Sequence, residues 1–210
     1  MSPGLTMERV YAALKSEIMR GGLAPGMRLD PARLAHDLNA SATPVRDALH
    51  RLAGERMVDC WPQEGFHVPL PSEPSLRDLY GWHREILLAA LRNLSSRTGG
   101  VRMLPGASVE DGPSRTPQAI ELFGAIAENS DNLEHRYALM NASDRLSLAR
   151  IAEVELLGEA GLATQAIRSA WVDRDLTALR REIARYHRTR LLAVPSIAAA
   201  LRRMAAQRQA

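Results

Sequence analysis

The sequence predicts a mainly α protein in two parts, and three observations carry that expectation. Leucine, alanine and arginine dominate while aromatic residues are only 4% of the chain, a composition that favours helices over sheets. Apolar residues recur at helical spacing in segment after segment, each marking one buried face. A proline-punctuated stretch from Pro69 to Pro74 separates a first segment dense in turn signals from a longer second one.

In the first segment, residues 7–20 are expected as a helix with Val10, Leu14 and Ile18 in one stripe and Tyr11 beside it. Gly21-Gly22 ends it, and Leu23-Ala24-Pro25-Gly26 is turn chemistry. Asp30 as N-cap and Pro31 at the first helical position open a second helix, with Leu34, Ala35 and Leu38 inward. Asn39, tolerant of the left-handed conformation, closes it. Ser41 is expected to cap a third helix running to about Ala53. There Val45, Ala48, Leu49 and Leu52 face inward, and Pro44 sits in the first turn, where its missing N–H costs nothing. Gly54 and Met57-Val58 lead into a strand through Cys60-Trp61, Pro62 to Gly65 makes a tight turn, and Phe66-His67-Val68 returns. Cys60 is expected as buried filler. Three helices followed by a β-hairpin wing is the winged helix-turn-helix plan, assigned to residues 1–70, with 71–75 as linker.

Residues 76–210 are expected to be all helical, forming an α-helical bundle. A long helix spans 75–96, with Leu76, Leu79, Ile86, Leu87, Ala90 and Leu91 apolar. Residues 98–117, rich in Gly, Pro and Ser, form a loop of unusual length. Further helices cover 117–129, 131–158, 161–172 and 175–190, with a turn at Asp173 to Asp175 and a separate tail helix from Pro195.

Composition narrows the function classes. No apolar run approaches the roughly 18 residues of a membrane span, the N-terminus lacks a signal-peptide pattern, and the single cysteine excludes an internal disulfide. The expectation is a cytoplasmic protein. No Ser-His-Asp set, paired carboxylates, phosphate loop or Cys-x-x-Cys is present, so no enzyme activity and no cofactor are expected. The net charge is +3, yet residues 1–72 balance eight basic side chains (Arg9, Lys15, Arg20, Arg28, Arg33, Arg46, Arg51, Arg56) with eight acidic ones (Glu8, Glu17, Asp30, Asp37, Asp47, Glu55, Asp59, Glu64). Binding to DNA therefore requires a few placed arginines facing the phosphates, with the acids elsewhere.

In a helix-turn-helix, the third helix presents its N-terminal residues to the major groove. With Val45, Leu49 and Leu52 inward, the opposite face carries Thr43, Arg46, Asp47 and His50. Arg46 is the expected base reader, since arginine pairs bidentately with guanine. Thr43 and Arg33 are expected on phosphates, and Gly65 and His67 place the wing beside the minor groove. The pieces Leu23 to Leu29, Leu34-Ala35, Thr43 to Leu52 and Gly65 to Val68, in that order and spacing, resemble the GntR family of bacterial regulators. The resemblance implies operator DNA as a partner and Arg46 as a contact. Ala42 and Glu64 stand where that family usually has arginines.

The second segment is similar to the helical effector-binding domain of the FadR-type branch (FCD), through Asp78-Leu79-Tyr80, Leu122 to Asn132, and Ile167, Ala170 and Asp175. Many members of that branch hold a divalent metal. Here Ile120, Gly124 and Thr164 stand at ligand positions and only His187 falls near one, so no bound metal is expected. His83, Arg84, Asn132, Arg136 and His187 are the candidates for contacting an effector, and arginine forks suit a carboxylate. The expectation is a homodimeric regulator, a repressor, controlled by a small organic acid. The alternative is a second domain that only dimerises.

Overall fold

The computed structural model describes residues 3–92, 118–157 and 160–207. The chain divides into two compact units, one of Met1–Pro71 with Ala199–Ala210 and one of Ser72–Ala198. The last dozen residues, expected in the second domain, are thus grouped with the first. The segment 98–117, expected as a loop, lies outside the described residues.

The first unit contains α1 (Pro3–Met19), β1 (Arg28–Leu29), α2 (Pro31–Asp37), α3 (Ala42–Gly54), β2 (Asp59–Trp61) and β3 (Gly65–His67). Its core is apolar: Val10, Leu14 and Ile18 of α1 and Val45, Ala48, Leu49 and Leu52 of α3 are at most 2% exposed. Asp30 accepts the Ala32 N–H at 2.8 Å and so caps α2. Asn39 takes φ 47°, which turns the chain between α2 and α3. Ser41 is the N-cap residue of α3, but its side chain makes no cap hydrogen bond, contrary to expectation.

The wing has three strands rather than the expected two, in the order β1-β3-β2, all antiparallel. β1 is only two residues long and pairs Arg28 with His67 and Leu29 with Phe66. So short a strand leaves no alternation in the sequence to find it by. The register also pairs Cys60 with Phe66, and Cys60 is exposed rather than buried.

The second unit holds α4 (Glu73–Arg92), α5 (Gln118–Glu128), α6 (Leu133–Arg145), α7 (Ser147–Leu157), α8 (Ala160–Val172) and most of α9 (Leu176–Gln207). Two expectations fail here. The helix expected over 131–158 is two helices that break at Leu146, without a glycine or proline to announce it. Leu146 to Arg150 are five consecutive buried residues, so the chain here is enclosed on every side rather than along one stripe. Pro195 does not begin a separate helix, because α9 runs straight through it. A proline inside a helix leaves the carbonyl four residues back without its donor. Here that carbonyl belongs to Leu191, and the Arg77 guanidinium of α4 donates to it at 3.0 Å. The turn before α9 is as expected: Arg174 takes φ 56°, and the Asp175 carboxylate accepts the N–H groups of Thr177 and Ala178.

Candidate nucleic-acid interface

Burial fixes which way α3 faces. Val45, Ala48, Leu49 and Leu52 are 0% exposed, so Thr43, Arg46, Asp47 and His50 are left at the surface, and all four are exposed. The His50 ring lies edge-on to Phe66 of β3, centroids 4.9 Å apart, which ties the exposed face of α3 to the wing. At the wing, Gly65 closes the hairpin opposite Trp61 with φ 82°, a conformation that favours glycine. His67 is half-buried between Arg28 and Asp59 in the ladder. Asp59 itself has its carboxyl pushed upward by burial, with the His67 ring opposing the shift.

The balanced charge of residues 1–72 sorts itself by pairing. Arg51 binds Glu8 at 2.6 Å and stacks over Tyr11 at 3.8 Å, Lys15 binds Glu55 at 2.9 Å, and Arg20 binds Glu17 at 2.6 Å. Arg33 stands only loosely by Asp37, at 3.9 Å. Among the described residues, Arg9, Arg28, Arg46 and Arg56 have no acidic partner, and all four are exposed, Arg9 donating instead to the Asn39 carbonyl at 3.3 Å. Glu55, a conceivable partner for Arg46, is engaged instead by Lys15, the Tyr11 hydroxyl and Arg51. The balance over residues 1–72 thus leaves the Arg46 guanidinium unpaired on a helix face that it shares with the exposed Asp47 carboxylate. Sequence reasoning missed Trp61, which is 56% exposed on β2 beside the hairpin turn.

The residues expected to contact an effector do not gather in one place. His83 and His187, candidates for contacting an effector, are 1% and 0% exposed. The Ile183 carbonyl can only accept, so at 2.7 Å it fixes the His187 proton on Nδ1. His187 Nε2 then accepts from His83 Nδ1–H at 2.9 Å, and His83 Nε2 accepts from the Ser143 hydroxyl at 3.0 Å with Arg150 Nη2 at 3.3 Å. Both rings are neutral in this arrangement and every ring nitrogen is engaged. Burial, reinforced by Arg150, holds His83 well below the usual range. Burial, partly opposed by the Ile183 bond, lowers His187 to about 4. Asn132 is the N-cap of α6, its side chain accepting the Glu134 N–H at 2.9 Å, and Arg136 is half-buried one turn on. Arg84 is half-buried on α4.

Beside the histidine pair lies an ionic group that sequence reasoning missed. Glu153 and Arg190, each 2% exposed, pair at 3.0 Å, and the hydroxyls of Tyr80 and Tyr186 donate to the same carboxylate. Burial and then the Glu153 charge push the Tyr80 hydroxyl well up. The Arg190 guanidinium stacks 3.6 Å from the Tyr186 ring. The residues that the resemblance to the FadR-type branch would put at metal positions do not form a metal centre. Gly124 offers no ligand, Thr164 is a buried hydroxyl, and both nitrogens of His187 are occupied. Among the described residues no three His, Cys, Asp or Glu side chains could hold an ion.

Residues 6–68 match the model for bacterial regulatory proteins of the gntR family. Over these residues the chain is similar to GntR-family regulators. The chain is similar to the HTH-type transcriptional repressor GlaR of Escherichia coli (strain K12), 33% identical over 90 residues, 43% of this chain and 40% of that protein. It is also similar to the HTH-type transcriptional regulator McbR of the same organism, 36% identical over 78 residues, 37% of this chain and 35% of that one. The matches thus span well under half the length of these relatives. Among solved structures, a putative transcriptional regulator GntR from Rhodococcus sp. RHA1 superimposes with a TM-score of 0.77 at 19% identity, covering 90% of this chain and 97% of that one. The structure of E. coli McbR/YncC superimposes with a TM-score of 0.64 at 20% identity, covering 93% and 98%. At such identities these likenesses establish a shared fold.

Proposed function

We propose that the chain is a transcriptional regulator of GntR type that docks on operator DNA through α3 and the wing, as a cytoplasmic homodimer. The observation that carries this reading is Arg46: exposed, without an acidic partner, and on the face of α3 opposite a fully buried apolar stripe. Thr43 and Arg33 take phosphates, His50 joins Arg46 at the groove, and Gly65 and His67 bring the wing to the minor groove. Two-fold symmetry places two recognition helices about one helical turn of DNA apart. Leu133, Tyr137 and Met140 form an exposed apolar stripe on α6, 59%, 62% and 44% accessible, and this supports self-association of the second unit.

The regulator is a repressor, a reading supported by the GlaR relative, and a small organic acid releases it from DNA by binding the helical unit. A second reading has the helical unit serving dimerisation alone. It is favoured by the histidine pair, whose nitrogens are all satisfied internally. The test is selection of bound genomic fragments by the purified protein, followed by a mobility shift with Arg46→Ala. Recovery of a near-palindromic site that the variant no longer distinguishes is the expected result. A variant that still selects the same site contradicts the docking.

A further inference from the structure

We propose that the groove between α4 and α9 in the second unit binds a small organic anion bearing two or more carboxylate or phosphate groups. This deepens the effector reading by locating it, and rests on that reading only for the regulatory consequence. The groove is open to solvent along one side and offers about 590 Å³. Arg84 lines it from α4, and Arg181, Arg185 and Arg188 line it from α9, where spacings of four and three residues put all three on one face.

The charges do not cancel. One carboxylate, Glu182, stands among the four guanidinium groups and is shared between Arg181 at 3.2 Å and Arg185 at 2.7 Å. Four positive groups against one negative leave an excess of three. Arg188 is exposed and, among the described residues, has neither an acidic nor a hydrogen-bond partner. Arg84 reaches Glu85 only at 3.9 Å, and its Nε–H is buried without an acceptor; Glu182 Oε2, though 2.7 Å from Arg185, is likewise buried without a hydrogen bond. A buried donor left unpaired is uncommon in a folded protein, and a ligand oxygen in the groove would satisfy it.

The neighbours of these arginines separate the groove from the buried network. His83 precedes Arg84 and His187 precedes Arg188; in each pair the histidine is buried and the arginine lines the groove. Guanidinium forks on two walls form a pincer, suited to a compact ligand with anionic groups at both ends. A monoanion would meet only one wall. A duplex presents its phosphates in a line and would not use the two walls together.

Isothermal titration calorimetry on the full chain with citrate, inorganic pyrophosphate and acetate tests the assignment and distinguishes a carboxylate from a phosphate ligand. Citrate or pyrophosphate should bind saturably, at one per chain, and acetate at least tenfold more weakly. Arg185→Ala and Arg188→Ala should each weaken that binding tenfold or more, and Arg202→Ala, an exposed arginine outside the groove, should leave it unchanged. Absence of saturable binding by both polyanions, or groove variants that bind as the parent does, overturns the proposal. So does loss of operator affinity by Arg188→Ala with no anion present, which would make the groove a DNA contact. Calorimetry involves no DNA, so failure of the operator reading leaves this result standing.

Discussion

The two units keep their polar groups in opposite places. In the winged unit, every described residue that is fully buried is apolar or a backbone turn, and the arginines, acids and histidines lie at or near the surface. In the helical unit His83, Ser143, Arg150, Glu153, Thr164, His187 and Arg190 are all buried. A charge at the surface costs little to leave unpaired and stays available to a partner, whereas a charge in the interior must be matched within the fold. The first arrangement suits a surface that meets phosphates. The second commits its polar groups to one internal geometry, so the helical unit is more sensitive to single substitutions and to pH.

The largest expected effect follows from the buried ion pair. Glu153→Ala strands Arg190 in the interior and should destabilise the helical unit by about 3–5 kcal/mol, measured by urea denaturation. In the winged unit, Glu55→Ala breaks a half-buried pair with Lys15 and should cost only about 1 kcal/mol. Equal losses in the two variants would break the contrast.

Acid comes next. In the unfolded chain a histidine titrates near 6.5, but the folded chain holds His187 at about 4 and His83 well below its usual range. Stability is therefore full above about pH 6.5 and falls as pH drops towards 4, because the unfolded chain takes up protons that the folded chain refuses. His187 alone accounts for roughly 3 kcal/mol across that window. Denaturation curves at pH 7.5, 6 and 5 should show the decline, and His187→Gln should make it shallower, leaving the part that His83 contributes. A parent curve without slope would place these rings in contact with water.

A smaller effect concerns Pro195. Arg77→Ala should cost about 1 kcal/mol, since it orphans the Leu191 carbonyl. In a Pro195→Ala background, where residue 195 regains an N–H for that carbonyl, the loss should shrink towards zero. Additive losses in the double-mutant cycle would detach Arg77 from the proline.

Legibility in the sequence followed the same division. The winged unit was readable because its signals are local: Asp30-Pro31 opens a helix, Asn39 turns the chain, and Val45, Ala48, Leu49 and Leu52 mark the inner face of α3. What escaped there depends on cross-strand pairing, namely β1 and the exposure of Cys60. In the helical unit the helices were legible but the buried polar network was not. His83 and His187 are 104 residues apart in sequence, and nothing local joins them. A usable signal did exist. His83 lies in phase with Leu76, Leu79, Ile86 and Ala90 on α4, and Arg190 with Leu179, Ile183, Val194 and Ile197 on α9. A polar residue in step with an apolar stripe is a candidate for burial. The break at Leu146 and the continuity through Pro195 are tertiary outcomes, set by enclosure and by the Arg77 donor.

The account stands most directly on the ratio between specific and non-specific DNA affinity, measured by fluorescence anisotropy for the parent chain and for Arg46→Ala on a selected operator and on a scrambled duplex. Loss of a bidentate guanine contact should reduce that ratio by roughly tenfold or more, in line with about 1–3 kcal/mol of discrimination. The urea midpoint should be unchanged, because Arg46 is exposed and has no acidic partner among the described residues. An unaltered ratio in a folded variant would contradict the account.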